Sequence, residues 1–312
     1  MEVFVDYLPQ STSEVVFLAF LGTVKQEHFT ARAVCESKAE SLKTRHSGSG
    51  LRCGIAPTFV LVLRHKADIY LVLGGDTYLY VSKRARVGRV LLEGQNVLLG
   101  ATSIGEGTII GLNVIVGYPA RRSLESRLAS LSGQGFEVYD EVSSGATIGN
   151  GCFIRSGTVI YEQVSLGDKC QTGHNVLLRE DTIIGGESHV GSMTVLDGNV
   201  SVGKRVNIQS GAYLPPKTVV EDDVFIAPCV TVTNDRYPPS PKFSGVVLKK
   251  GCVICANAVL IAGVTVGEEA VVAAGSIVTH DVPAGKMVMG VPARVTMSVE
   301  EFRKKRERYV ED

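Results

Sequence analysis

The amino-acid sequence predicts an all-β solenoid, in which short strands coil around one continuous core. Aliphatic residues recur at every sixth position through most of the 312 residues, a period that neither an amphipathic helix nor an alternating strand produces. Small or β-branched residues stand two positions before each aliphatic residue. The 34 glycines, the absence of tryptophan and the aromatic content of 6% are typical of a backbone with many tight turns. A helix bundle and a disordered chain both fit this pattern badly.

The repeat is longest from Val142 to Val232, where fifteen of the sixteen positions counted in sixes are Val, Leu or Ile. It resumes in a shifted frame over 254–278, and an earlier stretch covers 92–116. We interpret each hexad as one short strand and one turn. The aliphatic residue and the small residue both point inward, and neighbouring hexads bury them.

Two interruptions, at 117–141 and at 234–251, separate the three blocks of repeats. We interpret them as loops inserted into a regular stack, and insertions on a solenoid are where function concentrates. Three strands in each coil would place residues eighteen positions apart directly above one another. Cys152 and Cys170 have this spacing in the small-residue column, so we predict that they are stacked core residues.

The N-terminal part of the chain, residues 1–79, lacks the hexad, and its structure is uncertain from the sequence. Within it, 59–63 and 69–73 are predicted strands and 36–43 is a predicted short helix. A small α+β cap and a partly disordered segment are both open interpretations. The segment has no glycine-rich phosphate loop, so we do not expect a complete nucleotidyltransferase domain there.

The C-terminal residues 296–312 are predicted to form an α-helix. Ser298 and Glu301 have the spacing of a capping box. A basic run at 303–308 follows, which we interpret as a solvated helix face.

Charge and cysteine content restrict the partners and the compartment. Lys plus Arg and Asp plus Glu both number 32, so the net charge of zero favours neither nucleic acid nor an acidic membrane. The seven cysteines lack the paired spacings of a secreted disulfide scaffold, which favours a reducing compartment. The apolar run at 15–24 follows acidic residues and is too short to span a bilayer. We therefore expect a soluble, cytoplasmic protein.

The hexad pattern resembles the hexapeptide-repeat acyltransferase superfamily over about residues 80–295. The resemblance implies an all-β, left-handed parallel β-helix with two inserted loops, a small N-terminal segment and a C-terminal α-helix. It also implies a homotrimer. The superfamily includes acyltransferases, carbonic anhydrase-like metalloenzymes, nucleotidyltransferase tails and structural members, so the fold alone does not determine the reaction.

The second insertion contains the sequence TNDRYPP at 233–239, which resembles the active-site loop of the nucleotide-sugar N-acetyltransferases. Two departures stand out: Pro239 occupies the place of a usual Arg, and Gly211 that of a frequent Asn. The flanking matches to the same subfamily lie at 207–209, 221–228, 249–251 and 290–294. This resemblance implies an acetyltransferase that uses acetyl-CoA as co-substrate, an amino sugar linked to a nucleotide as acceptor, and active sites between subunits.

The loop favours an amine as the acceptor. Related sugar O-acetyltransferases place a His before a Pro here as the base that deprotonates a hydroxyl, whereas this chain has Tyr237. A neutral amine is already nucleophilic and needs no such base before it attacks. By resemblance, Asn234 would orient the amine or the thioester carbonyl and Asp235 would collect the proton. The alternative interpretation is that Asn234 and Asp235 only form a turn.

His174 is the second candidate base. It precedes Asn175, and a hexapeptide acyltransferase that acts on lipid A precursors has a similar His-Asn pair. We expect His174 on a turn, from which it would reach across a subunit interface. If His174 is the base, a sugar hydroxyl stays open as the acceptor.

The resemblance also implies a coenzyme groove between neighbouring subunits, along the C-terminal coils. Backbone groups near two alanines would contact the pantetheine arm, three basic residues would meet the phosphates, and a histidine would approach the coenzyme. Ordinary solvation is the alternative for the lysines. These residues are Ala256, Ala274, Lys249, Lys250, Arg294 and His280.

Two other classes compete with the transferase. A carbonic anhydrase-like enzyme needs three His ligands for zinc, but the two in the body, His174 and His189, stand fifteen residues apart, so we expect no metal. Cys252 and Cys255 should point to opposite sides of a strand and are interpreted as structural. A non-catalytic trimeric scaffold, whose insertions serve contact, is the other alternative.

Overall fold

The computed structural model describes residues 30–35, 59–65, 68–73, 79–127 and 135–311. Their strands, numbered in chain order, form three sheets that enclose one core. The regular coils use two-residue strands, because an inward aliphatic residue and its outward neighbour are enough to cross one side of the triangle before the next turn. The predicted helix at 36–43 lies outside the described residues.

Sheet 1 contains β1 (Thr30–Cys35), β2 (Phe59–His65), β3 (Asp68–Leu73), β6 (Val90–Glu93), β9 (Ile109–Ile110), β12 (Phe153–Ile154), β15 (Gln171–Thr172), β18 (His189–Val190), β21 (Asn207–Ile208), β24 (Phe225–Ile226), β27 (Val253–Ile254), β30 (Val271–Val272), β32 (Lys286–Met289) and β33 (Arg294–Ser298). Sheet 2 contains β4 (Leu79–Val81), β7 (Asn96–Leu98), β10 (Val114–Tyr118), β13 (Val159–Tyr161), β16 (Leu177–Leu178), β19 (Val195–Leu196), β22 (Tyr213–Leu214), β25 (Thr231–Val232), β28 (Val259–Leu260) and β31 (Ile277–Val278). Sheet 3 contains β5 (Arg86–Val87), β8 (Ser103–Ile104), β11 (Thr147–Ile148), β14 (Ser165–Leu166), β17 (Ile183–Ile184), β20 (Ser201–Val202), β23 (Val219–Val220), β26 (Val247–Leu248) and β29 (Thr265–Val266).

The register of the coils follows the predicted eighteen-residue step. Phe153 pairs in parallel with Gln171, and Gln171 pairs with His189. The aliphatic and the small residue of each hexad fill the core, and Cys152 and Cys170 are both buried in it, one coil apart, as predicted. The predicted fold class, an all-β left-handed parallel β-helix, is confirmed, with about 11 turns.

Two details of the repeat differ from the prediction. Val142 does not belong to the inward column, because it ends a helix of the first insertion and is only half-buried. The repeat also resumes earlier than residue 251 after the second insertion. Val246 and Leu248 are both fully buried and restore the small and aliphatic columns in the shifted frame.

The first insertion lies between β10 and β11 and contains α1 (Arg121–Arg127) and α2 (Phe136–Val142). The chain leaves the coil at Gly117 and rejoins it at Gly145, both with positive φ. A Cβ at Gly117 would collide with the carbonyl oxygen of Leu99, so only glycine fits.

The second insertion lies between β25 and β26, and it closes where the Ser244 amide donates to the Asn234 carbonyl at 3.1 Å. Both insertions therefore leave sheet 2 and return to sheet 3, on the same edge of the prism, which we call the insertion edge. Four strands of sheet 2 separate β10 from β25. With about 4.8 Å between neighbouring strands, the bases of the two insertions are roughly 24 Å apart.

The two ends of the described chain extend sheet 1. Strands β2 and β3 match the predicted strands, and β3 pairs in parallel with β6. At the other end, β33 pairs with β32, so the C-terminal helix α3 (Val299–Glu311) begins three residues later than predicted. The predicted capping box is present, because the Glu301 amide donates to Ser298 Oγ at 3.2 Å and Ser298 N donates to Glu301 Oε2 at 2.7 Å. No helix among the described residues is long and apolar enough to cross a membrane.

Candidate functional site

A network of polar side chains lies along the insertion edge, on the turns that follow β16 and β19. The Arg179 guanidinium donates from Nη1 to Asp197 Oδ1 at 3.0 Å and from Nη2 to Glu180 Oε1 at 2.9 Å. It also lies 5.7 Å from the ring centroid of Tyr161. These groups are held because successive coils place their turns directly above one another, about 4.8 Å apart.

Tyr213 connects this network to the second insertion. Its hydroxyl lies 2.8 Å from Asp197 Oδ2 and 2.9 Å from Asn234 Oδ1. Burial, together with the bond to the Asp197 carboxylate, raises the pKa of Tyr213, so the hydroxyl stays protonated at neutral pH. Because Asn234 Oδ1 is fixed by this contact, its Nδ2 group is the end of the amide that is left to donate to a ligand.

The base of the second insertion is fixed by further hydrogen bonds. Thr233 Oγ1 accepts from the Ala262 amide at 2.9 Å, and Asp235 Oδ2 accepts from the Ser240 amide at 3.1 Å. The Asp235 carboxylate therefore holds together the turn from 235 to 240 within the insertion. Tyr237, at the place of the expected base of O-acetyltransferases, is 79% exposed.

Glu162 holds the first insertion against the insertion edge. The residue is buried, with 2% of its surface exposed. Its carboxylate accepts from the Ala120 amide at 2.9 Å, from Ser144 N at 2.9 Å and from Ser144 Oγ at 3.0 Å, and it also accepts from Ser123 Oγ. Burial works to raise the pKa of Glu162, but these hydrogen bonds outweigh it and the pKa is lowered. Glu162 is thus an ionised clamp that joins both ends of the insertion.

Between the two insertions lies a groove of about 420 Å³, which we call the inter-insertion groove. Arg122, on α1, forms one end and donates to Asp181 Oδ2 at 2.8 Å and to Gln163 Oε1 at 2.7 Å. Phe243 and Asn234, on the second insertion, form the other end. The groove is lined by Arg122, Arg179, Glu180, Asp181, Asp197, Gly198, Asn199, Pro216, Asn234 and Phe243.

Asn234 is a predicted site residue, but no prediction from the sequence covered its hydrogen-bond partner Tyr213. Tyr213 stands eighteen residues before Thr231, with which it pairs, so the repeat itself would have placed Tyr213 beside the start of the second insertion. Glu162 and Arg122 carry no such signal, because their contacts depend on how the first insertion folds back.

His174 lies on an exposed turn, as predicted, but on the edge between sheet 1 and sheet 2. Its backbone amide donates to Ser192 Oγ at 3.0 Å. Asn234 stands on the insertion edge, three strands of sheet 2 further along. One chain therefore does not bring His174 and Asn234 together.

The six residues predicted to bind the coenzyme are spread over the prism in the same way. Ala256 and Ala274 share the edge of His174, and the Ala256 carbonyl already accepts from the Gly275 amide at 2.9 Å. Lys249 lies on the edge between sheet 3 and sheet 1, where its Nζ donates to Glu221 Oε1 at 2.7 Å.

Lys250 follows on the same turn as Lys249 and is exposed. His280 belongs to the insertion edge, where its Nδ1 lies 2.9 Å from Thr279 Oγ1. Arg294 begins β33 near the C-terminal end of the prism, and its side chain is exposed.

The two cysteines of the CxxC sequence lie on opposite sides of sheet 1, as predicted. Cys252 is buried in the core, and burial raises the pKa of its thiol to about 12. Cys255 packs instead against a second apolar cluster, which contains Val271, Met287 and Val299, the first residue of α3. No group of three or more His, Cys, Asp or Glu side chains among the described residues is arranged to hold a metal ion.

Comparisons with known proteins agree with this fold. The family profile described as "Hexapeptide repeat of succinyl-transferase" matches residues 94–117 and 245–280. The bifunctional protein GlmU of Heliobacterium modesticaldum is 29% identical over 224 residues, which cover 70% of this chain and 37% of GlmU.

A 2,3,4,5-tetrahydropyridine-2,6-dicarboxylate N-acetyltransferase of Staphylococcus aureus is 51% identical over 61 residues, or 20% of this chain and 26% of that enzyme. The chain thus spans well under half the length of these curated relatives. Among solved structures, a hexapeptide-repeat acetyltransferase of Vibrio cholerae, in complex with acetyl coenzyme A, is 24% identical. The match covers 35% of this chain and 70% of that one, with a TM-score of 0.30. The hexad, the three-sided coil and the matching profile together support the resemblance to the hexapeptide-repeat acyltransferase superfamily.

Proposed function

We propose that this protein is an acetyl-CoA-dependent acetyltransferase whose acceptor is the amine of an amino sugar linked to a nucleotide. The observation that carries the proposal is the state of Asn234: Tyr213 holds its Oδ1 and leaves Nδ2 as a donor, in a loop, 233–246, that contains no histidine. The similarity to relatives that include an N-acetyltransferase supports it.

In this proposal the amine lone pair attacks the thioester carbonyl carbon of acetyl-CoA. A C–N bond forms, the C–S bond breaks, and coenzyme A leaves as the thiolate. Negative charge develops on the carbonyl oxygen in the transition state, and Asn234 Nδ2 donates a hydrogen bond to it there. Among the two roles open for Asn234 from the sequence, this geometry favours contact with the thioester carbonyl over contact with the amine.

The proton that the nitrogen sheds needs an acceptor. Asp235 keeps this role in the proposal through Oδ1, because Oδ2 accepts from Ser240. From Asp235 the proton passes to the departing thiolate, which balances the reaction. Asp235→Asn keeps an oxygen for the Ser240 contact but removes the basicity, so it separates proton transfer from loop closure.

The proposed active form is a homotrimer. His174, Lys249 and Asn234 occupy three different edges of one prism. A coenzyme that contacts residues on separate edges must lie between neighbouring subunits. His174 would then stand near Asn234 only if it comes from the adjacent chain, and His174→Gln tests its role as the base.

The experiment measures thiol release from acetyl-CoA with UDP-glucosamine as acceptor, and with UDP-glucose as the matching hydroxyl acceptor. We expect release with the amino sugar alone, and a loss of more than about tenfold in turnover for Asn234→Ala. The control is Gln171→Ala, which removes an exposed amide on sheet 1. Equal release with UDP-glucose would favour O-acetylation with His174 as base, and near-normal turnover of Asn234→Ala would remove Asn234 from the mechanism.

A further inference from the structure

We propose that the inter-insertion groove binds the sugar part of the acceptor and leaves the acceptor's phosphates outside. This inference rests on the proposed function, because it assigns the acceptor site of the same reaction. No sequence motif indicated this groove or the ligand that it binds.

The groove has the dimensions of a small-molecule site. Its volume of about 420 Å³ lies within the range of roughly 300–1,000 Å³ that is usual for such sites. It reaches from Arg122 on the first insertion to Phe243 on the second. Its floor is made of turns from separate coils, so a ligand that lies along it contacts several coils and both insertions.

Both ends of the groove are fixed in place. At one end, Glu162 binds backbone amides at the two ends of the first insertion, Ala120 and Ser144. At the other end, Lys217 Nζ donates to the carbonyl of Phe243 at 3.2 Å. A site whose walls are held by hydrogen bonds loses little conformational entropy when a ligand binds.

The charges of the groove favour hydroxyl and ammonium groups over phosphates. Its lining includes three carboxylates and two guanidinium groups, and both guanidinium groups are already paired with groove carboxylates, Arg122 with Asp181 and Arg179 with Asp197. A diphosphate would meet a net negative lining, which repels it. Sugar hydroxyls and an ammonium group would instead find carboxylate acceptors.

The second-insertion end of the groove adds an apolar surface and the candidate catalytic amide. Phe243 is 44% exposed, and Pro216 also lines the groove. Such a surface suits the apolar face of a sugar ring. Asn234 stands at the same end. A sugar that lies against Phe243 therefore brings its amine towards Asn234 Nδ2.

The test is direct binding of three probes to the full-length protein without acetyl-CoA, measured by calorimetry. The probes are a disaccharide of glucosamine, UDP-glucosamine and UDP. We expect saturable binding of both the disaccharide and UDP-glucosamine, and we expect that UDP does not compete with UDP-glucosamine for the groove. The proposal is overturned if UDP competes with UDP-glucosamine as strongly as the disaccharide does, or if neither amino sugar binds saturably.

A matched pair of substitutions locates the site. Asp181→Asn removes the carboxylate that pairs with Arg122 in the groove. The control is Asp223→Asn, which likewise removes a carboxylate that pairs with an arginine, Arg205, but on a different edge of the prism. Both aspartates have φ near +60°, a conformation that asparagine tolerates. We expect Asp181→Asn to weaken disaccharide binding at least fivefold and Asp223→Asn to leave it unchanged.

Phe243→Ala is the second variant, because it removes the stacking surface without touching the charged network. Equal binding by wild type, Asp181→Asn and Phe243→Ala overturns the proposal. Binding that depends on Asp181, in a protein that transfers no acetyl group, would contradict the proposed function alone. If acetyl transfer occurs but neither Asp181→Asn nor Phe243→Ala changes the KM for the acceptor, the assignment of the groove as the sugar site is contradicted, and the proposed function is not.

Discussion

In the stacked coils, each buried side chain packs against a similar residue one coil away. At the insertion edge, by contrast, polar side chains from distant parts of the chain meet. Ile154 and Leu178 are fully buried among other aliphatic residues, and strand amides donate to carbonyls of the next coil, as Phe153 N does to the Cys170 carbonyl at 2.9 Å. At the edge, Arg122 reaches Asp181 and Tyr213 reaches Asn234. The coils therefore supply stability, and the edge supplies the polar groups that recognise a ligand.

The largest expected effect tests the coils. Ile208 is fully buried, and Ile208→Asp would place an unpaired charge in the stack, at a cost of more than about 4 kcal/mol. We expect loss of the folded body, measured by circular dichroism and size-exclusion chromatography. The control is Asn207→Asp at the adjacent outward position, which should stay folded. A soluble, folded Ile208→Asp protein would show that the inward column is assigned wrongly.

The second prediction tests the fastening of the first insertion. Glu162→Gln places an amide NH2 among the backbone and hydroxyl donors that the carboxylate now accepts. We expect a loss of about 1–3 kcal/mol in the free energy of unfolding, measured by urea denaturation. Glu187→Gln, on an exposed turn, is the control and should change stability little. Equal stability of Glu162→Gln and wild type would show that the clamp does not stabilise the insertion.

The stability difference between wild type and Glu162→Gln should also depend on pH. Because the pKa of Glu162 is lower in the folded than in the unfolded chain, its contribution is fully present above the unfolded pKa of about 4.3. It is lost as the pH falls through the folded pKa. The difference in stability between wild type and Glu162→Gln should therefore shrink below about pH 4.3 and stay constant above it.

The smallest predicted effect concerns Tyr213 as a positioning residue. Tyr213→Phe removes the hydroxyl that joins Asp197 to Asn234. We expect turnover to fall about three- to fivefold, with the KM for acetyl-CoA and the melting temperature unchanged, because the ring itself stays in place. A parallel fall in melting temperature would indicate a structural role, and unchanged turnover would remove Tyr213 from the orientation of Asn234.

The hexad period was sufficient to predict the coils. Once three hexads are taken to form one coil, the eighteen-residue register and the stacked cysteines follow from the repeat. The capping box before α3 was also predictable, because Ser298 and Glu301 interact locally. The strand β33 was not, since it forms by pairing with β32 across a turn, and propensity alone does not specify that contact.

The site was predictable only in part. Asn234 is predicted through the resemblance of its loop, but the Arg179, Asp197 and Tyr213 network depends on which turns stack beside that loop. The groove depends further on the first insertion, whose position is fixed by hydrogen bonds from Ala120 and Ser123 to Glu162, about forty residues further along the chain. Such contacts follow from packing, and no local pattern in the sequence encodes them.

A thermal-shift titration of the purified protein with acetyl-CoA tests whether the protein binds this co-substrate. A ligand present at a hundred times its dissociation constant adds roughly 2.7 kcal/mol to the stability of the folded state. An acetyl-CoA-dependent transferase predicts saturable stabilisation of the folded state. No shift at millimolar acetyl-CoA would contradict the transferase and favour a non-catalytic scaffold.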